Sequence, residues 1–312
     1  MQWGQIKTLL ILSFLLLDIY LLFQFTEKQQ QADLSVLEHS ESTIEEQLSA
    51  ENIGVPQLSN KEYNETFISV EPRLMLKEEL NDLSDLENQE NEVIQNKLII
   101  SEIDEPISIP KEPTKDKMIA LLEDLTLFPE EYSYWNWDKD ANVLIYFQKK
   151  LDRPIYYNQN GLLLIFLNEK NEISHYTQTV LGEYEENKDK RKLITPMRAI
   201  ETLYEADAFN NNDEISSVEI GFHTRVPLDN GVQVFAPTWN VRVNDESNYF
   251  VNAIEEFIFS SEHQEFLKDT LINIKDRANL IKKEEIDKEA FLKEISKKID
   301  FIERSDNDEL TI

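Results

Sequence analysis

The chain has 312 residues, 61 acidic against 31 basic, giving a formal net charge of −30, and it contains no cysteine. That balance opposes binding to nucleic acid and docking on an anionic lipid face, because both partners are themselves negative. The missing cysteine removes disulfides, thiolate metal centres and a cysteine nucleophile together.

After a short tail at residues 1–5, Ile6–Phe25 is an apolar run of twenty residues. As a helix it spans about 30 Å, the thickness of a bilayer core. The following "FQFTEKQQQADL" lacks the small-residue pattern of a signal-peptidase site, so an uncleaved transmembrane helix is expected. The short leading tail and Lys7 favour a cytoplasmic N-terminus. The chain is therefore expected to be a single-pass protein of the cell membrane with its bulk extracytoplasmic.

Asp18 interrupts the run about 18 Å along the helix. An aspartate at mid-depth costs about 2.5–3.5 kcal/mol unless it is neutralised or paired. Two readings stay open: a protonated, tolerated acid, or a contact with a polar group on a neighbouring helix. Ser13 and Tyr20 are further candidates for such a contact. With no second apolar span in the sequence, the partner helix is expected to belong to another copy or another protein.

Residues 26–40 read as a juxtamembrane stalk and 41–113 as a small acidic α+β domain. Ser42 followed by Glu45 predicts a capping box, with Ile44, Leu48 and Ile53 as the apolar face. "NETFISVEPRLML" and "KLIISEIDEPISIP" predict strands, and the acidic "KEELNDLSDLENQENEVIQN" between them reads as helix or loop.

Residues 114–259 carry two similar units. Thr114 caps a helix with Met118, Leu121, Leu122 and Leu125 at helical spacing. Four β-rich runs follow, separated by Asn/Asp-rich turns, which predicts an antiparallel meander. Thr195-Pro196 then opens a second helix, with Met197, Ile200, Leu203 and Tyr204 as its buried stripe, and a second meander follows. Residues 260–312 predict amphipathic helix in two pieces, with Phe266, Leu267, Leu271 and Ile274, then Phe291, Ile295, Ile299 and Ile302. That extension either packs on its own domain or binds a partner. The expected fold class is α+β: an N-terminal transmembrane helix, then extracytoplasmic antiparallel β-meander units each packed with a helix.

No residue set predicts catalysis, a cofactor or a metal. His39, His175, His223 and His263 are scattered, and phosphate-loop, dinucleotide and serine-nucleophile motifs are missing. Glu130/Glu131 and Glu185/Glu186 read as solvated acids. Trp135 and Trp137 are expected on one strand face as sheet core, and Trp239 as a core anchor. Basic residues gather at Lys188–Lys192 and Lys282–Lys283, too few for a polyanion groove.

Several stretches carry a resemblance: "MQWGQIKTLLILSFLLLDIYLLFQF", then "EYSYWNWD", "GLLLIFLNEKNEISHY" and "LITPMRAIETLY", then "VFAPTWNVRVND" and "YFVNAIEEFI". Together they resemble the YycI (WalI) family of regulatory membrane proteins, over roughly residues 1–259, fading between about 55 and 110. The resemblance implies a non-enzymatic regulator. Its implied partners are a sensor histidine kinase of the YycG (WalK) type and a YycH-like protein, in a two-component system controlling cell-wall metabolism. It also implies signalling through the membrane helix. Two other readings are an extracytoplasmic ligand-binding module and a membrane-tethered wall-polymer hydrolase. Relative to the family pattern, Glu256 stands where glycine is common, and about fifty further residues follow.

Overall fold

A computed structural model describes residues 43–59, 61–111, 113–224, 231–259, 263–281 and 286–309, with side chains described as far as Arg304, and a few positions between 7 and 22. Of the predicted membrane helix, Lys7, Leu10, Leu12, Phe14, Leu15, Leu17, Tyr20 and Leu22 are described; they are helical and exposed. Asp18 and Ser13 lie outside the described residues, as does the stalk. Among the described residues no helix is long and apolar enough to cross a membrane.

The chain divides into two units, one of residues 1–54 with 210–213, the other of 55–209 with 214–312. In the first, helix α1 (Ile44–Ala50) starts one residue later than its sequence suggests. The capping box is Thr43 and Glu46: Glu46 N donates to Thr43 Oγ1 at 3.3 Å, and Thr43 N donates to Glu46 Oε2 at 3.1 Å. Ser42–Glu45 and Thr43–Glu46 both fit the motif, and spacing alone does not rank them. Residues 51–54 are tied to 210–213 by Asn212 N to Glu51 O and Gly54 N to Asp213 O.

The second unit holds two main sheets. Their strands are β1 (Asn64–Glu65), β2 (Ile68–Pro72), β3 (Gln89–Ile94), β4 (Leu98–Ser108), β5 (Tyr132–Asp138), β6 (Val143–Lys150) and β7 (Arg153–Pro154). Further along come β8 (Leu162–Leu167), β9 (Glu172–Thr179), β10 (Leu181–Glu186), β11 (Arg191–Lys192), β12 (Ile215–His223), β13 (Gln233–Val243), β14 (Ser247–Asn252) and β15 (Ile258–Phe259). Sheet one runs β3-β4-β9-β8-β6-β5, with β7 also on β6. Sheet two runs β10-β2-β13-β14-β15, with β12 also on β13. β1 and β11 make a separate pair.

Residues 41–113, expected as a domain of their own, enter both sheets: β4 pairs with β9 and β2 with β13. A two-stranded hairpin is marginal in water, so β3–β4 gains its stability by joining a wider sheet. The chain moves from sheet one to sheet two at Val180, the single residue between β9 and β10. Gln148 secures that crossing, accepting from Leu181 N at 2.7 Å and donating to Leu181 O at 3.2 Å. The sheets also meet where Tyr156 N donates to Phe222 O at 2.8 Å. Gly221 lies under the Tyr156 ring there, and a Cβ would sit 2.4 Å from it.

Sheet one is buried on both faces, which explains why β8 reads as the unbroken apolar run LLLIFL. On one face Ile99, Leu144, Tyr146, Leu163 and Ile165 meet α2 (Lys77–Ser84), α3 (Lys115–Ala120) and the segment after it, through Leu83, Met118, Leu122 and Leu125. On the other face Ile100, Val143, Ile145, Phe147, Leu164 and Phe166 meet α5 (His263–Ala278) and α6 (Lys288–Glu309). The C-terminal segment is therefore a full layer of the domain. In sheet two, α4 (Pro196–Glu205) is capped by Thr195 Oγ1, which accepts from Arg198 N at 3.2 Å, and lies against β13 and β14.

Only six residues are glycine, so asparagine and aspartate carry the tight turns. Asn244 and Asp245 are both left-handed at the β13–β14 turn, as are Leu151 and Asp152 at β6–β7. Glu256 is left-handed too, with φ of 55°. That conformation costs a non-glycine residue roughly 1–2 kcal/mol, and the Glu256 side chain receives two bonds from Arg198, both 2.8 Å.

Phe291, 1% exposed on α6, and Phe301, 54% exposed on the same helix, separate packing from solvation. Phe291→Ala is expected to lower unfolding free energy by about 3–5 kcal/mol in urea titrations, and Phe301→Ala by less than about 0.5 kcal/mol.

Candidate functional site

Among the described residues, a cluster of buried polar groups lies where α5 and α6 meet the turn end of sheet one. β5 ends at Asp138, which is 5% exposed. It accepts from Ala141 N at 2.7 Å and from Gln264 Nε2 at 3.2 Å, and His263 Nε2 lies 3.1 Å away. Burial pushes its pKa up, but the bonds from His263, Ala141 and Gln264 outweigh it and hold the carboxyl below its ordinary value.

Glu294 on α6 reaches β9. Its Oε2 is 3.1 Å from His175 Nδ1, and Ser174 Oγ donates to Oε1 at 3.3 Å. Burial again raises the acid's pKa, while His175, Lys298 and Ser174 together hold it below the ordinary value. Ser, His and Glu thus come together, but not as a nucleophilic triad. Ser174 Oγ and Glu294 both address the same ring nitrogen, whereas a triad needs the hydroxyl on one nitrogen and the carboxylate on the other. Ser174 Oγ also lies 3.2 Å from Phe166 O, a strand carbonyl. The cluster holds a helix to a sheet.

Lys298, one turn along α6, is 5% exposed. Its Nζ donates to Ala141 O at 2.9 Å and to Asn142 O and Leu167 O at 3.2 Å. These carbonyls belong to the ends of two hairpins, so one ammonium joins both to the helix. Burial lowers its pKa, and Glu294 Oε1, 3.6 Å away, acts against that.

Above Lys298 an open groove of about 1070 Å³ runs between the turns at 139–142 and 168–171 and the outer side of α6. Trp137 forms one end; its Nε1 donates to Asn142 Oδ1 at 3.0 Å, and Lys139 Nζ lies over its ring. Among the described residues no cluster of three or more acidic or histidine side chains is placed to hold a metal.

The three tryptophans singled out by sequence occupy different places. β5 is bulged between Tyr134 and Asn136, which turns Trp137 to the face opposite Trp135. Trp135 packs with Phe147, Tyr156 and Phe250 under the C-terminal helices, while Trp137 joins Tyr134 on the α2/α3 side. The expected shared face is therefore corrected by one extra residue in the strand. Trp239, 3% exposed, donates Nε1 to Ile194 O at 3.0 Å and meets Tyr63 edge-on. Of the proposed membrane contacts only Tyr20 is described, on an exposed helical position. Sequence reasoning passed over Asp138, Glu294 and Lys298. Each is an ordinary charged residue in a charge-rich stretch, and only the fold brings them to the same end of the sheet.

Comparison with known proteins gives two likenesses. A family model described as YycI protein matches residues 31–254. Among solved structures, the crystal structure of YycH from Bacillus subtilis aligns with a TM-score of 0.35 and 11% sequence identity, covering 65% of this chain. The aligned chain spans 57% of that protein's length. No curated protein matches.

Two outcomes follow for this cluster. Lys298→Met, which keeps the stem but strips the three carbonyls of their shared donor, is expected to cost about 1–3 kcal/mol in chemical denaturation. Asp138 has a folded pKa below its unfolded one, so its contribution is present above the ordinary carboxylate range and is lost as pH falls through the folded value. Between pH 7 and pH 3 the urea midpoint of Asp138→Asn is therefore expected to fall less than that of the parent. Parallel curves would show that Asp138 is not held as described.

Proposed function

The chain belongs to the YycI family, and from that premise we propose that it acts as a membrane-anchored regulator of the YycFG two-component system. The observation that carries this reading is the family match over residues 31–254, which spans α1 to α4 and every strand of both sheets except β15. The YycI family is regulatory and non-enzymatic, in keeping with the bonding of Ser174, His175 and Glu294 as a structural clasp.

In this reading Ile6–Phe25 anchors the chain in the cell membrane with the N-terminus in the cytoplasm, and the two-sheet domain lies outside. The helix packs against helices of a sensor histidine kinase of the YycG (WalK) type and of a YycH-like protein. Asp18 supplies the polar contact, since a carboxyl at that depth is stabilised by a partner in the bilayer. Ser13 and Tyr20 flank it along the same segment. The extracytoplasmic domain holds the complex in register and has no catalytic task.

Photo-crosslinking from single positions within 6–25 in living cells tests this reading. Capture of a kinase of this type is expected from positions on the Asp18 side of the helix, and Asp18→Leu is expected to reduce it about tenfold at equal expression. Unchanged capture in the leucine variant would remove Asp18 from the contact. A kinase never captured from any position would remove the proposed partnership.

A further inference from the structure

The groove beside α6 is set apart from the rest of an acid-rich surface by its cations. Lys139, Lys170, Lys293, Lys297 and Arg304 all line it and are all exposed. Lys170, Lys293, Lys297 and Arg304 make no ion pair among the described residues, although the chain carries nearly twice as many acids as bases.

Their arrangement is extended. Lys293 and Arg304 stand eleven residues apart on one helix, about 16 Å by helix rise. Lys139 and Lys170 face them from two separate hairpin turns. A single small anion would use one end of this row; several anionic groups along a chain would use all of it. The volume, about 1070 Å³, also exceeds what one small ion fills.

The remaining lining narrows the chemistry. Phe301 offers a flat apolar face that the fold leaves uncovered, the kind of surface on which the C–H face of a sugar ring rests. Asp140, Glu169 and Asp300 lie among the cations, and their carboxylates offer hydrogen-bond acceptors. They would repel a ligand that is anionic throughout, but they suit one whose negative groups are interrupted by hydroxyls. We propose that the groove between α6 and the 139–142 and 168–171 turns binds a saccharide chain bearing carboxylate or phosphate groups. The anionic groups pair with Lys170, Lys293, Lys297 and Arg304, the hydroxyls with the acids, and one ring lies on Phe301. One wall comes from residues 290–304, outside the family match at 31–254, so the site is a property of this chain and stands independently of the kinase partnership.

Full-length protein in detergent micelles, titrated by calorimetry, tests the proposal with three probes: tetragalacturonic acid, neutral cellotetraose and hexaglutamate. Tetragalacturonate is expected to bind at least tenfold more tightly than either other probe, with affinity falling as salt rises. The double variant Lys293→Glu/Lys297→Glu is expected to weaken it at least tenfold with an unchanged melting curve, since both side chains are exposed. Phe301→Ala is expected to weaken it several-fold. No binding of tetragalacturonate, or equal binding to the charge-reversed protein, overturns the site. Hexaglutamate binding as tightly as the saccharide overturns the ligand class and makes the groove a peptide site.

Discussion

A β-sheet that is apolar on both faces must be covered twice, and sheet one of this protein is such a sheet. Val143, Ile145 and Phe147 point to one side of β6, Leu144 and Tyr146 to the other, and all five are fully buried. Each large side chain of this kind is worth about 1.5–3 kcal/mol relative to exposure. Leaving either face open would forfeit more than the roughly 5–15 kcal/mol that separates a folded domain from its unfolded chain. The helical layers on both sides are therefore conditions of the fold, and α5 and α6 carry the same structural weight as the strands.

That requirement also explains the polar chemistry at the turn end of the sheet. Apolar burial is non-directional and does not by itself set where a helix lies along a sheet. Asp138 with His263, Glu294 with Ser174 and His175, and Lys298 with three carbonyls supply direction at both helices. Each buried charge is paired or bonded, which is what makes burying it tolerable. The clasp uses histidine and serine where a hydrolase would use them, yet the bonding pattern serves position.

Much of the architecture was legible from spacing. The helix openings at Thr114 and Thr195-Pro196, the Asn/Asp turns and the C-terminal stripe Phe291–Ile302 follow from local chemistry and the structure places an element at each, but the Thr114 hydroxyl makes no capping bond and its helix ends at Ala120, short of Leu121, Leu122 and Leu125. The rest depended on tertiary pairing. Thr43 displaced Ser42 as the cap because both fit the motif. The β5 bulge turned Trp137 away from Trp135, and bulges leave no periodic signal in a seven-residue strand. Residues 41–113 looked like a domain because β9 and β13, the strands that pair with β4 and β2, come more than sixty residues later. The groove escaped notice because its cations come from two turns and a helix far apart in sequence, and the adjacent pair Lys297–Lys298 looks no different from Lys149–Lys150 or Lys282–Lys283.

The position of the second covering layer in the chain has a kinetic consequence. β6 and β8 lie near the middle of the sequence, but the helices that shield one of their faces run to residue 302 and beyond. During synthesis, at about 5–20 residues per second, the apolar face of sheet one has no native cover for the time it takes to make more than a hundred further residues. Maturation of this half of the protein is thus deferred until its last helix is delivered, and a nascent chain stalled before that point would present a greasy sheet surface to its surroundings.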